Sequence, residues 1–317
     1  MTGIVHAQRS DRHGLAAGRA THAAAAAVVA LAATACATAL AAPPAASAAS
    51  AASAASTTAA SPARSAPAPA ATALPAISDI AELSTAFARE VDRRLELPAS
   101  EQEAYAGWLA QALAAAGVAV ERAQLLVLVD RSEHVQAAMV WWLPVQGPAR
   151  LVGAAPASTG RPSGFEHFET PLGVFDHSID NPDFRAEGTR NAQGICGYGA
   201  KGMRVFDFGW VRARRAWAPG EQEMRLQLHA TDPRQLEPRL GQRASKGCIR
   251  IPATLNTFLD RRGVLDAAYE EAMAAGRRFW VLRADRQPTP WSGRLLVVVD
   301  SQRAARPDWA VPPRAAR

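Results

Sequence analysis

Cys248 stands in Ala244-Ser-Lys-Gly-Cys-Ile-Arg-Ile-Pro252, and His229 lies near the end of Glu223-Met-Arg-Leu-Gln-Leu-His-Ala230. A cysteine here has four kinds of work open to it: half of a disulfide, a metal ligand, a nucleophile, or a small buried apolar residue. As a nucleophile it must reach the thiolate, and a free thiol ionises only near pH ~8.5. An imidazole within hydrogen-bond reach can take that proton. If 223–230 is extended, Met224, Leu226 and Leu228 share one face, while Arg225, Gln227 and His229 share the other. His229 then projects from a polar face near a strand end. The polar loop Thr231 to Ala244 returns the chain to Cys248. Lys246, one of only two lysines, adds a cation two residues from the thiol. Gly247 permits close backbone approach, and the N–H groups of Gly247 and Cys248 can face a developing oxyanion. Together these residues point to acyl transfer on a Cys-His pair.

The rival readings are weaker. Apart from Cys36 in the N-terminal segment, only Cys196 and Cys248 remain. An exported protein can form that bridge, but a domain of this size needs no staple. Cys196 reads as a buried small residue, with the bridge as its alternative. There is no C-x-x-C or H-E-x-x-H, so neither a metal nor a cofactor is expected. The serine enzymes that use Ser-x-x-Lys are excluded: Tyr198 and Arg243 stand three residues before the two lysines. Gly197 to Gly202 satisfies G-x-G-x-x-G, but Met203 to Val211 reads as a strand where a dinucleotide site needs a helix. A loop bordering the active site is the better reading. His167 and His177 read as surface residues or as supports behind the site, His177 with cleft lining as its alternative.

The elements that must position this pair start late in the chain. Residues 1–42 carry early arginines, an uncharged Ala-rich run from 23 to 42 and A-x-A patterns, the layout of a signal peptide. An uncleaved anchor is the alternative. Residues 43–76 are nearly all Ala, Ser, Thr and Pro and read as a disordered linker. Ser78 is placed to cap a helix with the stripe Ile80, Leu83, Phe87, Val91 and Leu95, ended by Pro98. Ser100 and Glu103 form a capping-box pattern before Tyr105, Trp108, Leu109 and Leu113, with Gly117 as the stop. This helical appendage covers 77–123. Strands are expected at 125–129, 136–142, 203–211, 223–230, 277–282 and 294–300, and helices at 254–260 and 264–276. The expected fold class is α+β, mainly β, with the catalytic domain at 124–301 and a basic, surface or frayed tail at 302–317.

His229-Ala-Thr followed by Ser245-Lys-Gly-Cys-Ile-Arg250 resembles the signature of the L,D-transpeptidase (YkuD-type) family. Ser158-Thr-Gly160 and Thr170-Pro-Leu-Gly-Val-Phe175 match in order upstream. The resemblance covers roughly 124–283 and implies a β-sandwich or barrel acting on peptidoglycan stem peptides. It implies Cys248 as nucleophile, His229 as base, and the Ala230 carbonyl as the group that orients the imidazole. Ser245, Lys246 and Arg250 would shape the substrate pocket. Lys246 stands where the family commonly has His. The acceptor would be an amine, on a peptide or protein, and water would give a carboxypeptidase or endopeptidase instead. A wall-binding module without catalysis is the remaining alternative. The formal charge of +6 suits an anionic polymer. Export to the periplasm or cell envelope makes nucleic acid an improbable partner.

Overall fold

The computed structural model describes residues 79–312. The leader, the linker and Ser78 lie outside the described residues. The first helix, α1 (Ile80–Glu90), is capped by Asp79, whose carboxylate accepts the Ala81 N–H at 3.0 Å. It stops at Val91, well short of Pro98, so Leu95 reaches the core from an extended segment. The second, α2 (Ala99–Ala115), starts one residue before Ser100, and the capping box does not form: Pro98 is the N-cap and no side chain caps the end. Gly117 closes it at φ +66, with the Val118 N–H returning to Leu113 O at 2.9 Å.

The strands are β1 (Gln124–Asp130), β2 (Ala137–Leu143), β3 (Arg150–Pro156), β4 (Gly173–Asp176), β5 (Phe184–Arg185), β6 (Arg204–Arg214), β7 (Glu221–Ala230), β8 (Ile249–Ile251) and β9 (Leu295–Val299). Helices α3 (Ala253–Arg262) and α4 (Ala267–Ala274) fall between β8 and β9. One sheet runs β3-β2-β1-β9-β4 and the other β5-β6-β7-β8. Two pairings are parallel, β1 with β9 and β7 with β8.

β1 reads as an unbroken apolar run because both its faces are covered. Leu125, Val127 and Val129 join the core shared with Phe206, Leu226, Leu228, Ile249 and Ile251 of the second sheet. Leu126 and Leu128 join Tyr105, Leu109 and Leu113 of α2 on the opposite face. The architecture is therefore a β-sandwich with α2 on its outer side, and the mainly-β expectation holds. The Tyr105 hydroxyl, donating to Asp130 at 2.6 Å, ties α2 to the end of β1. Both helices belong to the same compact unit as the sheets.

Two expectations for the C-terminal third also change. Residues 277–282 form no strand. Phe279 packs its ring edge on Tyr269 of α4 and Val281 is buried, while Trp280 is exposed, so the run covers a helix instead of joining a sheet. The described part of the tail is anchored: Ala310 is buried, Trp309 packs near Tyr105, and Arg303 pairs with Glu101 of α2.

The second sheet is fastened by buried charge. Arg204, fully buried at the start of β6, contacts Asp183 at 2.7 Å, Asp266 at 2.8 Å and Asp260 at 3.4 Å. Asp183 also receives His177, whose other ring nitrogen meets Leu265 O at 2.7 Å. His177 is thus a fully buried strut among Phe206, Phe208 and Tyr269, and neither a surface nor a cleft residue. Removing one member of such a cluster leaves its partners charged and dry. Arg204→Met should cost about 3–5 kcal/mol, read as a lower urea midpoint. A loss below about 1 kcal/mol would mean that the carboxylates find solvent or protons.

Candidate active site

β7 carries the pair's first member. Its alternation sends Met224, Leu226 and Leu228 into the core and turns Arg225, Gln227 and His229 to the other face. That face is covered too: His229 and Gln227 are both buried. The imidazole Nδ1 lies 2.6 Å from Ala230 O. A carbonyl only accepts, so Nδ1 carries the proton and Nε2 keeps its lone pair. Burial lowers the His229 pKa to about 4, the Ala230 contact opposes this, and the Arg250 charge lowers it further. The ring is neutral at neutral pH.

β8 carries the second member. Its register sets His229 opposite Arg250 and Leu228 opposite Ile249. Residues opposite one another in a ladder share a face, so Cys248, next in alternation to Arg250, stands with Gln227 and His229. The thiol's hydrogen-bond partner is Arg225 O at 3.6 Å, not the imidazole. Burial raises the Cys248 pKa above the ordinary thiol value, while the Gln227 N–H and the Arg250 charge work against that rise. The resting pair is therefore a neutral thiol and a neutral imidazole.

The motif pieces upstream converge on the same turn. Ser158 exchanges backbone hydrogen bonds with Arg250 at 2.9 Å each, and Thr159 O accepts the Ala244 and Ser245 N–H groups at 3.0 Å. The Thr170 hydroxyl receives the Gly160 N–H at 2.9 Å and donates to Gly247 O at 2.6 Å. Ser158-Thr-Gly160 and Thr170 thus brace the segment that carries Cys248.

Three residues make contacts that the sequence did not suggest. The Gly247 N–H donates to Ser245 Oγ at 3.0 Å, so it is already spent and the Cys248 N–H is left as the candidate oxyanion donor. Ser245 is buried and donates to Cys248 O at 2.6 Å, stapling the turn. Lys246 is exposed and pairs with Glu166 at 3.4 Å. The cation that acts on the thiol is Arg250. Its guanidinium donates to Ala244 O at 3.1 Å, its Nε is buried without a partner, and among the described residues no carboxylate pairs with it.

Tyr198, Gln227 and Asp207 were not singled out as site residues from the sequence. The Tyr198 ring lies 4.6 Å from that of His229. It comes from the glycine-rich loop before β6, where Gly199 passes so close that a Cβ would lie 2.8 Å from Ala230 Cβ. Cys196, a free and buried thiol, anchors this loop through its N–H to Asp232 at 3.0 Å.

Residues 124–264 match the family model of the L,D-transpeptidase catalytic domain, YkuD. The chain carries a YkuD domain. It spans β1 through α3 and includes every residue described above as part of the site. The inner strand β9 and the helices α1 and α2 lie outside the match. A YkuD domain supports L,D-transpeptidase-type activity on peptidoglycan. No curated protein matches the chain. Among the described residues no group of three or more His, Cys, Asp or Glu could hold a metal ion, and no helix is long and apolar enough to cross a membrane.

Two predictions follow from the burial of the site. Alkylation of Cys248 by iodoacetamide should be slow at pH 7 and still rising above pH 9, because the thiol is raised and no preformed ion pair lowers it. A rate that plateaus near pH 7 would contradict this. Gly247 sits at φ +138, and a Cβ there would lie 2.8 Å from Met224 Sδ. Gly247→Ala should displace the turn and cost about 1–3 kcal/mol in thermal or urea unfolding.

Proposed function

We propose that the protein is an exported cysteine acyltransferase working on peptidoglycan stem peptides. The observation that carries the reading is the shared face of β7 and β8. That register puts Cys248 on the same face as an imidazole whose Nδ1–H is committed to Ala230 O. Nε2 is then the basic nitrogen available to the thiol.

Cys248 attacks the carbonyl joining the L-centre of the third stem residue to D-Ala. The thiol proton passes to His229 Nε2 as the sulfur–carbon bond forms, since neither group is charged at rest. The Cys248 N–H faces the developing oxyanion. His229 returns the proton to the departing amine, D-Ala leaves, and a thioester remains on Cys248. An acceptor amine attacks the thioester, His229 takes its surplus proton and passes it to the departing Cys248 sulfur, and the thiol is restored. The unpaired Arg250 guanidinium is suited to a substrate carboxylate. Ala230 acts only through its carbonyl, so its side chain is free to vary.

The wider reading places 1–42 as a leader, 43–76 as a tether, 77–123 as a helical appendage and 124–301 as the catalytic domain, with 302–317 as a basic tail. The leader pattern and the positive charge support work in the periplasm or cell envelope.

Purified protein should be incubated with tetrapeptide muropeptides and the products separated by mass. Cross-linked dimers with release of D-Ala support amine transfer, and tripeptides alone would make water the acceptor. Cys248→Ala should abolish both products, and His229→Ala should slow them by about 10²–10⁴-fold. Full activity in His229→Ala would overturn the assignment of the base. Wall binding without any product would reduce the protein to a binding module.

A further inference from the structure

The face that presents His229 contains a buried hydrogen-bond chain that the proposed reaction does not itself require. Asp207 of β6, almost wholly buried, accepts the Arg225 Nε–H and the Gln227 Nε2–H at 2.8 Å each on one oxygen. Its other oxygen accepts the Gly209 N–H at 2.8 Å. Because the Gln227 amide gives its N–H to Asp207, its carbonyl oxygen must turn the other way. There it accepts the Tyr198 hydroxyl at 3.0 Å. The ring of Tyr198 is thereby held against His229 at an angle of 60°, with Phe184 edge-on 5.5 Å away.

We propose that Tyr198 is a positioning residue for His229. The chain Asp207–Gln227–Tyr198 clamps the phenol on the imidazole, keeps water from that face, and keeps Nε2 turned toward Cys248. The inference rests on the Cys-His reading. Tyr198 is 40% exposed; the partial desolvation it does undergo, and then the nearby Cys248 and Asp207, raise its phenol above the ordinary range, so it stays a donor through the working pH. The charged and titratable groups around His229 are few. Arg250 and Cys248 come from the β8 side and Tyr198 from the loop. Arg225 and Asp207 lie further along the same face, and β6 offers Val205 opposite the histidine. Without the ring, water reaches the imidazole and the burial that depresses its basicity is relieved.

Two readouts test the clamp in the full chain: the His229 titration by NMR, and the rate of Cys248 acylation by a tetrapeptide donor against pH. Tyr198→Ala should move the His229 pKa from about 4 toward the ordinary ~6.5 and slow acylation by up to about 10²-fold. Tyr198→Phe keeps the ring and should recover most of the rate. Gln227→Met removes the acceptor without touching the loop and should shift both readouts in the same direction as Tyr198→Ala, by less. An unmoved His229 titration in Tyr198→Ala and Gln227→Met would overturn the proposal, and so would lost stability with an unchanged pH profile. If the wild-type protein forms no adduct on Cys248, the transferase reading fails. The His229 titration still decides the clamp, because it needs no turnover.

Discussion

Three residue pairs of parallel ladder, Leu228 with Ile249, His229 with Arg250 and Ala230 with Ile251, set the position of every group in the site. A slip of one residue would exchange faces, sending Cys248 into the core and an isoleucine toward the imidazole. So short a pairing does not hold its register alone. Ile249 and Ile251 are fully buried between the sheets, which makes the slipped register costly. Ser158 pairs with Arg250 on the far side of β8, and the Thr170 and Ser245 hydroxyls lock the turn ahead of it. The scaffold behind these contacts is the buried Arg204 cluster, which joins β6 to the carboxylates of Asp183, Asp260 and Asp266.

Burial decides the electrostatics of the pair. It raises the thiol and lowers the imidazole, so the site rests uncharged. An uncharged pair suits a proton transfer that accompanies attack better than a stored thiolate. Lys246 looks in sequence like the cation that would favour a thiolate, but Glu166 occupies it in solvent, where such pairs are worth little. Arg250 has the opposite character. Burial lowers its own pKa and a Cys248 thiolate would oppose that drop, so an anionic group at this spot would find a poorly solvated cation.

Much of this was legible in the residues. The alternation of 223–230 set His229 opposite the apolar face, and the apolar run at 125–129 marked a strand; that both its faces are covered shows only in the fold. The order of Ser158-Thr-Gly160, Thr170 and Cys248 reflected real hydrogen bonds among them. What stayed hidden depends on partners distant in the chain. The Gly247 N–H looks free until Ser245 turns back on it, and His177 looks like a surface residue until Asp183 and Leu265 close around it. Tyr198 is hidden inside a run of glycines, where nothing local shows that Gln227 receives its hydroxyl. Residues 277–282 carry strand-forming side chains, but no sheet edge lies there to pair with them.

The central claim is that Cys248 forms the covalent bond to the donor. Trypsin cleavage after Lys246 and Arg250 isolates the peptide Gly247-Cys-Ile-Arg250 from protein quenched in acid during turnover. The account predicts that this peptide gains the mass of the donor less D-Ala, carried as a hydroxylamine-labile thioester. Turnover with that peptide unmodified and the acyl mass on another residue would contradict it.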